Sequence, residues 1–329
     1  MSAQKKIVLE ATTQSFVDAL ATQGGKAIYQ LSYADARKLL EGLQALTNVS
    51  KLPADIEDKV LPVGPSGQTY VTIYRPQGSA VSLPVVMYLH GGGWVLGSKN
   101  THDRLLRDLV NGTNAAFVFV NYTPSPEAQF PVPIEQAFAA TKYVADHGDE
   151  LGLDATRLAV AGDSVGGNMA AVVAQLAKER KGPSIRYQVL FYPVTDASFS
   201  QESYKEFADG PWLTTAAMKW FWDAYAPNKA DRKKPMATPL SATPEQLKGL
   251  PPTLVIVDEN DVLRDEGEEY ARKLLLAGVE TTSLRVLATC HDFAMLNPLA
   301  STAGAQTAIK LASQMLTQTL GSAVRRPAA

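Results

Sequence analysis

The chain has 329 residues, enough to bury one large core or a core with an insertion. A net charge of −2 without a long basic run argues against a nucleic-acid partner, and no stretch is long and apolar enough to span a bilayer. The single cysteine, Cys290, rules out an internal disulfide and favours the cytoplasm. Met1-Ser2-Ala3-Gln4-Lys5-Lys6 leads into no apolar core of signal-peptide length, and Arg325-Arg326 reads as a solvated tail.

Residues 1–50 hold two helical patterns. The second begins at Ser32, with Asp35 three positions on, and carries Leu39, Leu40, Leu43 and Leu46. Runs 57–63 and 69–75, joined by Gly64-Pro65-Ser66-Gly67, read as an antiparallel edge hairpin. A strand over 84–89 ends in His90-Gly91-Gly92-Gly93-Trp94. Three adjacent glycines leave backbone N–H groups uncovered and able to face an oxyanion. Phosphate binding fits less well. Residues 93–99 fall one short of a P-loop, and Leu96 occupies the last glycine position of a dinucleotide fingerprint begun at Gly91. His90 is expected to brace the glycine loop, His102 to lie in the next helix's first turn, and His147 to cap helix carbonyls.

The runs at 84–89, 115–121, 157–162, 187–192, 253–257 and 282–287 read as strands covered on both faces. They alternate with amphipathic segments, which predicts βαβ units around a mostly parallel sheet. The third run leads into Gly162-Asp163-Ser164-Val165-Gly166-Gly167, followed by Met169, Val172, Val173 and Leu176 at helical spacing. A sharp strand-to-helix turn needs small residues on both sides, which Gly162 and Gly166 supply, and it exposes the Ser164 hydroxyl beside a helix N-terminus. Asp163 should project elsewhere, in a structural role.

Residues 197–250 interrupt the alternation with Trp212, then Met218, Phe221, Trp222 and Tyr225 at helical spacing. Such a stripe is ordinarily core packing. After the strand at 253–257, Asp261 lies in the loop where it can reach a histidine, with Asp258 as the alternative acid. Asp265 and Glu266 suit the start of the following helix through its dipole. A serine nucleophile of this kind takes its acid and then its histidine later in the chain, and His291 is the only histidine beyond Ser164. Asp292 should face away, being the next residue along. Cys290 reads as a buried structural thiol.

His90-Gly91-Gly92-Gly93, Gly162-Asp163-Ser164-Val165-Gly166-Gly167, Asp261-Val262-Leu263-Arg264-Asp265-Glu266-Gly267 and His291-Asp292-Phe293 together resemble the signatures of the hormone-sensitive-lipase-like branch of the α/β-hydrolase superfamily. Three departures stand out: Val165 where alanine is usual, Asp292 where glycine is common, and Asn121-Tyr122-Thr123-Pro124-Ser125-Pro126-Glu127, which follows the family's pattern loosely. The resemblance implies an α/β-hydrolase fold, a mostly parallel central sheet of about eight strands flanked by helices. Its catalytic domain would comprise 51–196 and 251–329, with a helical cap from 1–50 and 197–250. It further implies an oxyanion hole of Gly92, Gly93 and Val165 N–H groups, and substrate contacts from Trp94, Trp212, Phe221 and Trp222. The implied activity is a serine carboxylesterase for short- to medium-chain esters, working through Ser164, His291, Asp261 and an acyl-enzyme. Alternatives are an amidase or deacetylase with the same triad, and a small-molecule receptor on the same fold. No cofactor or metal is expected, since neither H-E-x-x-H nor paired C-x-x-C occurs. The expected partners are a small-molecule ester and, at most, a second copy as a homodimer; neither nucleic acid nor membrane is expected.

Overall fold

Runs rich in valine, leucine and phenylalanine form the middle of a sheet, because a strand covered on both faces has no solvent side to mark with polar residues. The computed structural model describes residues 7–79 and 82–321, so the expectations for Met1–Lys6 and for Arg325-Arg326 lie outside the described residues. The strands are β1 (Ala54–Leu61), β2 (Thr69–Pro76), β3 (Leu83–Leu89), β4 (Ala116–Asn121), β5 (Leu153–Asp163), β6 (Tyr187–Phe191), β7 (Thr253–Asn260) and β8 (Thr281–Cys290). They form one sheet in the order β1-β2-β4-β3-β5-β6-β7-β8. β2 is antiparallel to both β1 and β4, and every other pairing is parallel. β3 is buried along its whole length.

The helices are α1 (Ala11–Gln23), α2 (Tyr33–Leu46), α3 (Lys99–Thr113), α4 (Val132–His147), α5 (Val165–Glu179), α6 (Glu202–Glu206), α7 (Thr215–Tyr225), α8 (Pro244–Leu247), α9 (Arg264–Leu276) and α10 (Ala303–Leu320). α3 packs on α10, while α4, α5, α8 and α9 pack in succession. Ser32 caps α2 as expected, its Oγ accepting from the Asp35 N–H at 3.1 Å. None of the helices among the described residues is long and apolar enough to cross a membrane.

One strand departs from the expectation of two covered faces. β8 closes the sheet and pairs only with β7, and Thr282, Ser283, Arg285 and Leu287 are exposed along it. Its polar residues mark the open side of an edge strand.

From β3 the chain moves to β4 on one side, then returns to place β5 on the other. Strand order reverses there, and the diverging connections leave a crevice at the carboxyl ends of β3 and β5. The pairing Leu89↔Gly162 brings the glycine run after β3 beside the serine turn after β5.

Candidate active site

Ser164 joins β5 to α5 with φ 55° and ψ −121°, a conformation L-residues rarely adopt. Its N–H donates to the Phe191 carbonyl at 2.8 Å, and its carbonyl accepts from Asn168 N–H at 3.1 Å, so both sides of the turn are pinned. A Cβ on Gly166 would lie 2.0 Å from the Leu89 carbonyl oxygen, and one on Gly162 would lie 2.3 Å from that of Gly166. The two glycines are there because the backbones touch. α5 is buried from Val165 to Ala177, more completely than its predicted stripe implied.

Asp163 is fully buried and braces the glycine loop. Its Oδ1 accepts from Tyr88 Oη at 2.8 Å and Gly91 N–H at 3.1 Å, and its Oδ2 lies 3.2 Å from His102 Nε2. Burial would raise this carboxyl, but His102 and Tyr88 hold it below its ordinary value. His90 Nδ1 sits 2.9 Å from the Gly91 carbonyl, and the ring stacks on Tyr122 and Phe119. Burial, then the neighbouring His102, pulls His90 down to about 3, so it stays neutral. Gly92 and Gly93 have φ of 104° and 64°. Val165 is the first residue of α5, where an N–H has no partner within the helix. Arg37 of α2 holds the loop from outside, donating to the Val95 and Ser125 carbonyls at 2.8 and 2.9 Å while pairing with Glu127. Sequence reasoning missed that clamp, which joins segments 58 and 90 residues apart.

His291 Nε2 lies 2.9 Å from Ser164 Oγ, and its Nδ1 lies 2.8 Å from Asp261 Oδ2. Asp261 Oδ1 accepts from Leu263 N–H at 3.1 Å. All three side chains are buried. Burial pulls His291 down, yet the charges of Asp261, Asp292 and Asp258 outweigh it and leave the imidazole well above its usual value. Asp258 accepts no hydrogen bond as a carboxylate; burial and the charge of Asp261 push it far up. Asp258, Asp261 and His291 also offer ligand atoms within 4.8 Å of one another, but the His291–Asp261 hydrogen bond already engages two of them.

Several expected placements change. Asp292 does not face away. Its φ of 65° curls the side chain back, placing Oδ1 3.5 Å from His291 Nε2 and Oδ2 3.0 Å from Trp212 Nε1. His147 caps no carbonyl; it pairs with Glu150 at 3.0 Å and stacks on Tyr143, because it ends its helix at the surface. Asp265 and Glu266 do lie in the first turn of α9, but their carboxylates turn to the segment after β6. Glu266 is fully buried and accepts from Thr195 N–H at 2.6 Å, and Asp265 accepts from Ser203 N–H at 2.8 Å. Cys290 is buried, which pushes its thiol up and leaves it unreactive.

A cavity of about 350 Å³ opens above Ser164 and His291. Its walls are mainly apolar and come from both segments outside the alternation: Leu20, Ile28 and Leu43 from one, Trp212, Met218 and Phe221 from the other. The segments meet where Phe16 packs on Trp212 at 5.5 Å and Tyr33 on Trp220 at 4.9 Å. A wider hollow of about 680 Å³ beside α4 contains neither the serine nor a histidine.

The aromatic stripe of α7 splits in two. Met218 and Phe221 face the cavity, and Phe221 lies so close to Gly93 that a Cβ there would come within 2.1 Å of its ring. Trp222 and Tyr225 turn inward against Trp94, with ring centres 4.7 and 4.1 Å from it. Trp94 and Trp222 are therefore core residues off the cavity wall, contrary to expectation. The positive φ of Trp94, 58°, directs its ring beneath α7.

Comparison with known proteins agrees with this fold. Residues 86–295 match the family described as the alpha/beta hydrolase fold. The chain is 50% identical to a thermostable esterase of Pseudomonas putida ECU1011, whose crystal structure superposes with a TM-score of 0.94, covering 96% of this chain and 98% of that one. It is 40% identical to the carboxylesterase NlhH of Mycobacterium tuberculosis across 71% of this chain and 74% of the relative. It is 35% identical to an ethyl acetate hydrolase of Pseudomonas putida across 81% of this chain and 84% of the relative.

Proposed function

Because the chain belongs to the hormone-sensitive-lipase-like branch of the alpha/beta hydrolase family and is a carboxylic ester hydrolase, we propose that Ser164, His291 and Asp261 are its nucleophile, base and acid. The oxyanion hole would be the N–H groups of Gly92, Gly93 and Val165, under a cap drawn from residues 1–50 and 197–250. The observation that carries this reading is the chain of hydrogen bonds from Ser164 Oγ through His291 to Asp261 at the floor of the cavity.

In the reaction, His291 Nε2 takes the proton of Ser164 as Oγ attacks the ester carbonyl carbon. The carbonyl oxygen becomes an oxyanion, held by the three N–H groups. As the intermediate collapses, His291 returns the proton to the departing alcohol, leaving an acyl-serine. A water, deprotonated by the same imidazole, then displaces the acid and restores Ser164. Asp261 holds Nδ1–H, so the lone pair of Nε2 faces the serine.

The substrates proposed are short- to medium-chain esters. The cavity is at the low end of small-molecule pockets, which span about 300–1,000 Å³. Each added methylene is worth about 0.8 kcal/mol while it can be buried, roughly fourfold in kcat/KM, and clashes once the space is full. A series of p-nitrophenyl esters should therefore peak within about C2–C8 and fall steeply beyond. Trp212→Ala should move the peak to longer chains. Trp222→Ala should instead destabilise the fold by about 3–5 kcal/mol and leave the peak in place. An optimum on emulsified long-chain triglyceride would contradict the proposed substrate range.

The base must be neutral to act, so activity is lost as pH falls through the pKa of His291. Since its carboxylate neighbours raise that value, the acid limb of kcat/KM should lie above the ~6.5 of a free imidazole. EDTA should leave the profile unchanged; reversible loss on chelation would point to metal chemistry. We further infer a cytoplasmic setting from the lone, buried Cys290, which fractionation of the source cells would test.

A further inference from the structure

Asp292 is buried beside the reacting atoms, yet the mechanism above gives it no task. Its two oxygens point to different parts of the site. Oδ2 accepts from Trp212 Nε1 at 3.0 Å, and Trp212 in turn packs on Phe16 of α1. Oδ1 accepts no hydrogen bond and lies 3.5 Å from His291 Nε2, the nitrogen that faces the serine. Ser164 Oγ is nearer at 2.9 Å, so the carboxylate stands beside the serine–histidine hydrogen bond without replacing it. Holding this pose requires φ 65° at a residue with a side chain.

We propose that Asp292 is a positioning residue that fastens the Trp212 wall of the cavity to the catalytic centre and, through its charge beside Nε2, stabilises the imidazolium formed during attack. The inference rests on His291 being the base. The other groups facing His291 are Asp258 and Asp261 at the end of β7, Ser164 at the turn, and Tyr192 after β6, whose ring meets the imidazole edge-on at 5.0 Å. Cys290 precedes it, and Lys26 stands on the cavity wall. Asp163 and His102 also act on Asp292 electrostatically. Burial pushes the Asp292 carboxyl up and His291 draws it back down, so each favours the charged form of the other. The arrangement helps once the proton has left Ser164. It also keeps the base protonated, and idle, to higher pH.

Asp292→Asn and Trp212→Phe separate the two tasks. Asparagine keeps an oxygen for the indole N–H and removes the charge. The acid limb of kcat/KM on p-nitrophenyl acetate should move about one pH unit or more towards acid, with KM within about threefold of the parent. Phenylalanine keeps the ring and removes the N–H, so KM should rise while the limb stays in place. Asp292→Gly tolerates φ 65° without strain and offers the indole no acceptor, so it should show both changes and serves if the asparagine variant folds poorly. An unmoved limb in Asp292→Asn and Asp292→Gly would overturn the inference. So would a limb that moves as far in Trp212→Phe. A Ser164→Ala control retaining turnover would bring down the proposed triad instead, which keeps the two failures distinct.

Discussion

Ser164→Ala is expected to lower kcat by about 10⁴ or more on any p-nitrophenyl ester and to abolish labelling by a fluorophosphonate probe. The loss should be this large because no other group can take over. Cys290 is buried with its thiol pushed up, and the hydroxyl removed is the one 2.9 Å from His291 Nε2. The fold should survive, since the positive φ of residue 164 is imposed by the contacts around Gly162 and Gly166 and costs alanine no more than serine. Residual hydrolysis should come from binding and the backbone N–H groups alone. Parental turnover in this variant, measured on freshly purified protein, would remove Ser164 from the mechanism.

Asp261→Asn should cost about 10³–10⁴ in kcat with little change in KM. An amide NH₂ presented to Nδ1 favours the tautomer that carries its hydrogen on Nε2, which can then accept nothing from Ser164. Asp258→Asn should cost no more than about tenfold. Asp258 makes no hydrogen bond to His291, whose Nδ1 is already engaged by Asp261, so removing its acid leaves the imidazole held. The ratio of the two variants decides the assignment. A larger loss at Asp258 than at Asp261 would transfer the acid role to the strand residue.

The glycine run and the serine turn were legible because their chemistry is local. A backbone that turns within one residue of its neighbours excludes a Cβ, and the clashes at Gly162 and Gly166 are what such a string implies. His291 was legible by chain order and scarcity. The inner strands were legible because burial on both faces removes polar alternation; at β8 the same argument failed, since a mixed run does not reveal that it lies at an edge. The cavity wall was only half legible. Helical spacing identified the stripe on α7 but could not say that Phe221 would face Gly93 while Trp222 turned under Trp94, a choice made by the loop that carries Trp94.

By itself the sequence determined the reaction class, singled out the proposed nucleophile and base, and set the order of the elements that carry them, since each depends on residues close together or on a type of residue in short supply. The tertiary structure decided how Asp261 and His291 meet. Asp258 pairs with Val286, but two residues on Asn260 pairs with Cys290, so an irregularity makes β8 run ahead of β7 by two residues and brings His291 level with Asp261. It also turned Asp292 back towards Trp212 through a single positive φ. Neither could be read from a residue pattern, because strand register and local backbone twist are set by the sum of contacts between segments far apart in the chain.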